Sequence, residues 1–187
     1  MSPPQPSPMP RHHPITRLFH WVIAALVFVM IPVGIAMTSE GFAELRNQLF
    51  ILHKGLGTVL LVLVALRILW RLLHKPPPPP PTMSLLQRRL AGLTHGFLYV
   101  LLVVMTVTGY VRVVGGGFPI ELLDRFGIPT LLPEMPVWAD RMSVLHKFTA
   151  YLLTGAIAAH IAAAVHHALF EKDGIMSRIW PPVGGRG

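Results

Sequence analysis

The chain has 187 residues, 52% of them hydrophobic and only 13% charged; a soluble domain carries roughly 25% charged residues, so lipid is the expected solvent. It has no cysteine, which excludes disulfides, thiolate-held zinc, iron–sulfur clusters and thiol catalysis. The net charge of +8, from 16 Lys and Arg against 8 Asp and Glu, would suggest nucleic acid in a soluble protein, but here the cations sit between apolar runs, as in membrane proteins, and no nucleic-acid partner is expected.

Residues 1–14 carry Pro3, Pro4, Pro6, Pro8 and Pro10; such an arm buries no apolar area and is expected to be disordered. The first apolar run, about 16–38, follows Arg11 and Arg17 and contains Gly34-Ile35-Ala36, so a cleaved signal peptide competes with a membrane span. The run is long enough to span, and His20-Trp21 is unusual in a disposable segment, so a span is preferred. A second span, about 50–73, leads into Arg67, Arg71 and Lys75 and then the run Pro76 to Pro81, where proline must end the helix. A third, about 90–114, is closed by Gly115-Gly116-Gly117. The loop that follows, with scattered Pro, Gly, acids and Trp138, is expected to hold a short amphipathic helix at the interface. The fourth span runs about 144–170. The expected architecture is an all-α membrane protein, a four-helix transmembrane domain over 15–174 with a tail at 175–187.

Counting Lys and Arg near the span ends gives ten on the side of the termini: Arg11, Arg17, Arg67, Arg71, Lys75, Arg88, Arg89, Lys172, Arg178 and Arg186. The opposite side has six, Arg46, Lys54, Arg112, Arg125, Arg141 and Lys147, accompanied by Glu40, Glu44, Glu121, Asp124, Glu134 and Asp140. Both termini are therefore expected in the cytoplasm.

The ten histidines carry the chemistry. His12 and His13 in the arm and His74 at a span end read as solvated. His20 lies near the cytoplasmic start of the first span, and His53 near the outer start of the second. His146 starts the fourth on the outer side, and His160, fourteen residues on, lies ~21 Å deeper on the same helix face. His53 with His146 and His20 with His160 thus form two level-matched pairs. Neutral imidazoles on both sides fill the axial positions of a haem iron, and without Cys-x-x-Cys-His the haem is b-type, two per chain. Gly34, Gly55, Gly57, Gly109 and Gly155 are candidates for leaving room beside a porphyrin. Zinc or a proton pathway is the competing reading; zinc wants three or four ligands in one small site, often with carboxylates, and the spans hold no Asp or Glu, which argues against a metal transporter. A histidine-rich scaffold without haem is a further alternative.

The chain resembles the bacterial cytochrome b561 family of four-helix di-haem cytochromes over nearly all of its length after the arm. The resemblance is carried by Thr16-Arg17-Leu18-Phe19-His20-Trp21, Leu52-His53-Lys54-Gly55-Leu56-Gly57, the segment from Arg67 to Pro81, Leu93-Thr94-His95, Leu145-His146-Lys147, His160 to Ala164, His167 and Lys172-Asp173. It implies haem ligands at His20, His53, His146 and His160, the same four residues. Within the family, some stand-alone members resemble superoxide oxidases that reduce ubiquinone, and others are membrane subunits of hydrogenases or dehydrogenases. The length and short loops look like the stand-alone group. One departure is that the histidine pair after the last ligand is shifted, at His166 and His167.

His167, two turns beyond His160 on the same face, and His95, which opens the third helix at that level, are candidates to hydrogen-bond a quinone carbonyl beside the inner haem. Lys54 and Lys147 follow the outer ligands directly and are expected either to pair with haem propionates or to form a positive mouth for superoxide. The expected function is electron transfer between an outside donor, superoxide or a redox protein, and membrane ubiquinone, as a multi-pass protein of the bacterial inner membrane. An electron-transfer subunit docked to a hydrogenase or dehydrogenase is the alternative; the sequence leaves oligomeric state open.

Overall fold

The computed structural model describes residues 10–80 and 83–180. It is all-helical over these residues. Helix α1 spans Pro14–Ala36, α2 Arg46–Leu73, α3 Leu85–Gly115, α4 Glu121–Arg125 and α5 Pro136–His166, with a π-helical turn His167–Glu171 continuing α5. A 3-10 turn, Glu40–Leu45, joins α1 to α2, and another, Met176–Arg178, lies in the tail. Four of the helical segments are long and apolar enough to cross a membrane, and the protein is a multi-pass membrane protein.

The helices begin earlier than the apolar runs because polar residues cap them. The His13 ring accepts from the Ile15 amide ahead of Pro14, which needs no amide partner at that position. At α3, Ser84 and Gln87 form a reciprocal capping box that starts the helix at Leu85. Pro136 opens α5. Helix α3 ends where Gly117 takes φ +74°; a Cβ there would meet the Glu134 carboxylate at 3.2 Å. The turn therefore depends on glycine for both its conformation and its space.

Packing is uneven. Helix α3 runs closely along α5, and α1 lies on α2, which also touches α3; α5 makes no comparable backbone approach to α1 or α2. The compact core is small, Ile23 and Val27 of α1 against Leu60 and Val64 of α2, with Leu102, Val103 and Ile157 beside it. Phe28, Val100 and Phe148 stand 61%, 59% and 63% exposed. Faces of that kind are covered by acyl chains, while each helix satisfies its own backbone.

Residues 10–13 and 172–180 lie at one end of the bundle, here the terminal end; the α1–α2 connection and α4 lie at the other, the loop end. Ile120, 1% exposed, anchors the segment before α4, and Leu122 packs on Gly55 of α2. The disorder expected of the arm concerns mostly residues outside the described ones. Residues 10–13 are ordered against the tail: the His12 amide donates to the Arg178 carbonyl, and Arg11 donates to the carbonyls of Ser177 and Trp180.

Candidate functional site: two facing histidine pairs

His20 faces His160 at the terminal end, with ring centres 6.5 Å apart. His53 faces His146 at the loop end, with ring centres 6.4 Å apart. Each pair bridges helices that are otherwise apart, α1 to α5 and α2 to α5. An imidazole nitrogen binds a first-row metal at about 2.0–2.1 Å, and adding about 1.1 Å from nitrogen to ring centre on each side puts two axial imidazoles about 6.2–6.4 Å apart. Both observed separations agree with that spacing to within a few tenths of an ångström.

The loop-end pair is set by named contacts. His146 Nδ1 lies 3.0 Å from the Met105 carbonyl oxygen, an acceptor only, so this nitrogen carries the proton and donates. The Thr108 hydroxyl donates to the Val104 carbonyl at 2.6 Å and accepts from His146 Nδ1 at 3.2 Å. Nε2 then keeps its lone pair, the tautomer an iron ligand needs. A Cβ on Gly109 would stand 2.9 Å from His146 Cε1, and one on Gly34 would stand 3.2 Å from His53 Cε1. Glycine lets α3 and α1 close against the two rings. His53 Nδ1 is buried with no hydrogen-bond partner among the described residues, a costly state for a ring that only packs. Helices held apart, rings at ligand spacing, a fixed tautomer and glycine seats together fit a haem gripped by two imidazoles.

The other three glycines do not face a ligand ring. Gly55 faces Leu122, Gly57 faces the end of Met30, and a Cβ on Gly155 would meet nothing within 4 Å. The sequence also gave no sign of Thr108 or of the Met105 carbonyl as partners of His146, although a threonine inside a span, 38 residues from a histidine, was the available signal.

At the terminal end a third imidazole approaches: the His95 ring lies 5.4 Å from that of His160, and His95 Nδ1 is 2.6 Å from the Ala91 carbonyl. His167 points elsewhere, its Nδ1 2.6 Å from Asp173 Oδ2. The turn there is π-helical and ends on Lys172 in the left-handed region, φ 50°. Among the described residues no ring contact joins His95 to His167. Lys54 is engaged at 2.7 Å by Glu121 and at 2.8 Å by the Pro119 carbonyl. Burial raises the Glu121 pKa, but the hydrogen bond and charge of Lys54 outweigh it and hold the carboxyl below its ordinary value. Lys147 is exposed.

Among known proteins, a family model described as prokaryotic cytochrome b561 matches residues 11–182. The chain is similar to "Cytochrome b561 homolog 2" of Escherichia coli (strain K12), 29% identical over 170 residues that cover 90% of each protein.

Proposed function

The chain belongs to the prokaryotic cytochrome b561 family, and on that premise we propose that it carries two b-type haems and moves electrons between a donor on the loop side and ubiquinone on the terminal side. The coarser statement stands on its own: it is a membrane b-type cytochrome of electron transfer. One observation carries the finer one, the two facing histidine pairs at 6.4 and 6.5 Å, at opposite ends of the bundle. Haem b held by these histidine pairs would supply a one-electron carrier suited to electron exchange rather than to binding oxygen or substrate.

In this reading His20 with His160, and His53 with His146, are the axial ligands. Met105 and Thr108 fix the tautomer of His146, and Gly34 and Gly109 let the rings sit close to their helices. His95, whose Nδ1 donates to the Ala91 carbonyl, keeps Nε2 as an acceptor for a quinol hydroxyl. His167 with Asp173 relays protons, since reduction of a quinone to quinol takes up two protons with two electrons. Lys147 lends positive field to the loop side for an anionic donor such as superoxide. Lys54 shares that role, or pairs with a propionate, only to the extent that it leaves Glu121. The membrane is the bacterial inner membrane with both termini cytoplasmic, from the ten-to-six Lys and Arg count.

The test is haem content of the purified full-length chain, followed by ubiquinone reduction driven by superoxide. Two haem b per chain and superoxide-dependent quinol are expected. One haem or none sinks the pairing. A stable copurified dehydrogenase, with no superoxide activity in the isolated chain, favours the docked-subunit reading.

A further inference from the structure

The terminal end holds a second constellation that the histidine pairs do not use. His12 and His13 of the arm, Thr16 of α1, Arg67, Trp70, Arg71, His74 and Lys75 at the end of α2, Pro76 and Pro77 beyond it, and Tyr99 of α3 enclose a cavity of about 40 Å³. Three of these residues are fixed cations and three are histidines, and none is an acid. Arg67 and Arg71 stand four residues apart on one face of α2, where like charges repel, and Lys75 follows two residues past the end of that helix. Both guanidinium carbons sit 5.3 Å from the Tyr99 ring centre, and Arg67 Nε donates to the Tyr99 hydroxyl at 2.8 Å. No carboxylate bridges any of the three cations among the described residues. His12 registers the field: burial first, then the charges of Arg178, Arg71, His95 and Arg67, push its pKa down to about 4.

A second, apolar space adjoins the first and shares two of its walls. Ile68, Arg71, Leu72, Tyr99, Val100, Val103 and Val104 line an open groove of about 500 Å³ between α2 and α3. The groove lies on the lipid-facing part of the spans; the basic cavity lies at their end. A retention of cations on one side of a membrane explains their number. It does not explain their convergence on one cavity that shares Arg71 and Tyr99 with an acyl-sized groove.

We infer that the terminal ends of α1, α2 and α3 bind one anionic phospholipid, its phosphate in the basic cavity and an acyl chain in the groove beside Val100. Several considerations select this occupant. A site enclosed by Arg67, Arg71 and Lys75 without an acid is satisfied by a net negative group, whereas a quinone headgroup is neutral. A single water needs ~10–15 Å³ by the same measure, so the cavity admits a compact group of a few heavy atoms such as phosphate. Rings supply the rest of the wall: Trp70 stacks on His74 at 3.5 Å and is 5.2 Å from His13, and its indole N–H is already spent on the Thr16 hydroxyl at 3.0 Å. The His74 Nδ1–H is likewise spent on the Trp70 carbonyl at 3.1 Å, which leaves the guanidinium and ammonium N–H groups for the headgroup.

The experiment uses the full-length chain as purified in mild detergent. Native mass spectrometry follows retained lipid after incubation with phosphatidylglycerol or phosphatidylcholine of identical acyl chains. One phosphatidylglycerol per chain is expected, retained ~10-fold or more above phosphatidylcholine, the scale of two cations acting on one negative charge. The double variant Arg71→Gln with Lys75→Gln should erase that preference while its absorption spectrum stays that of the parent. Val100→Trp keeps every cation but fills the groove, so it should lose the lipid and still respond to inorganic phosphate in a thermal melt. Equal retention of the two lipids overturns the inference. So does a parent stabilised by inorganic phosphate as much as by phosphatidylglycerol, which makes the site a free-anion site. A quinone retained in place of lipid, and displaced by Val100→Trp, overturns it as well.

Discussion

At the loop end His146 is held by two partners on its Nδ1, and glycine presses on both ligand rings. At the terminal end His20 and His160 stand beside a third imidazole, His95, with the His167–Asp173 pair on the turn beyond. In the first arrangement no further imidazole approaches the pair among the described residues. The second is surrounded by groups that give and take protons. A site that only passes electrons needs fixed ligands, whereas a site that serves a substrate taking up protons needs donors and acceptors within reach. The contrast supports electron entry at the loop end and proton-coupled exit at the terminal end.

The strongest way to break this contrast is to remove one ligand from each end. His160→Ala should abolish the terminal-end haem and leave the loop-end one, about half the haem absorbance of the parent; His146→Ala should do the reverse. The reduced-minus-oxidised spectrum reads this directly, and an unchanged spectrum in either variant refutes the assignment. Next in size is His167→Ala, which should leave both haem signals intact but slow ubiquinone reduction by ~10²-fold, the scale of a lost proton-transfer group. Reduction at the parent rate moves the quinone site elsewhere, with the loop-end surface near Trp138 the next place to look.

Gly109→Ala puts a methyl 2.9 Å from His146 Cε1, and Gly34→Ala puts one 3.2 Å from His53 Cε1. Overpacking of this kind costs ~1–3 kcal/mol. Loop-end haem occupancy and thermal stability should therefore fall in both variants, more in the first. Gly155→Ala, with open space around it, should match the parent. If all three behave alike, the glycines do not seat the rings. The smallest effect belongs to Glu121→Gln. Its folded pKa is depressed by Lys54, so the contribution is present above the unfolded carboxyl pKa and is lost as pH falls through the folded one. With 37% of the Glu121 side chain exposed, the pair is worth under ~1 kcal/mol. Melts of parent and variant should differ slightly at pH 7 and converge in acid; a difference that persists in acid assigns the effect to packing.

The spans were legible because lipid leaves long apolar runs, and the two histidine levels because helical rise turns residue number into depth. The fourteen-residue step from His146 to His160 places both on one helix whatever the rest does. Helix starts were less legible: Ser84 with Gln87, and Pro136, cap α3 and α5 with residues an apolar count discards. The Lys54–Glu121 pair joins residues 67 apart, and only the fold of the loop decides it. His12, His13 and His74 read singly as solvated, because their convergence on Trp70 needs the arm laid against the end of α2.

Arg178 is 6% exposed and donates to the carbonyls of Pro10 at 3.0 Å and Pro78 at 2.7 Å. Its two anchors lie in the arm before the first span and in the connector halfway along, and Arg178 itself lies in the tail. During synthesis at ~5–20 residues per second, the 168 residues that separate the Arg178 donor from Pro10 take roughly 10–30 s to emerge. Until then the Pro10 and Pro78 carbonyls lack the guanidinium that joins them. All four spans can be inserted and the bundle still remain unlatched, and the last turn made is the one that closes it.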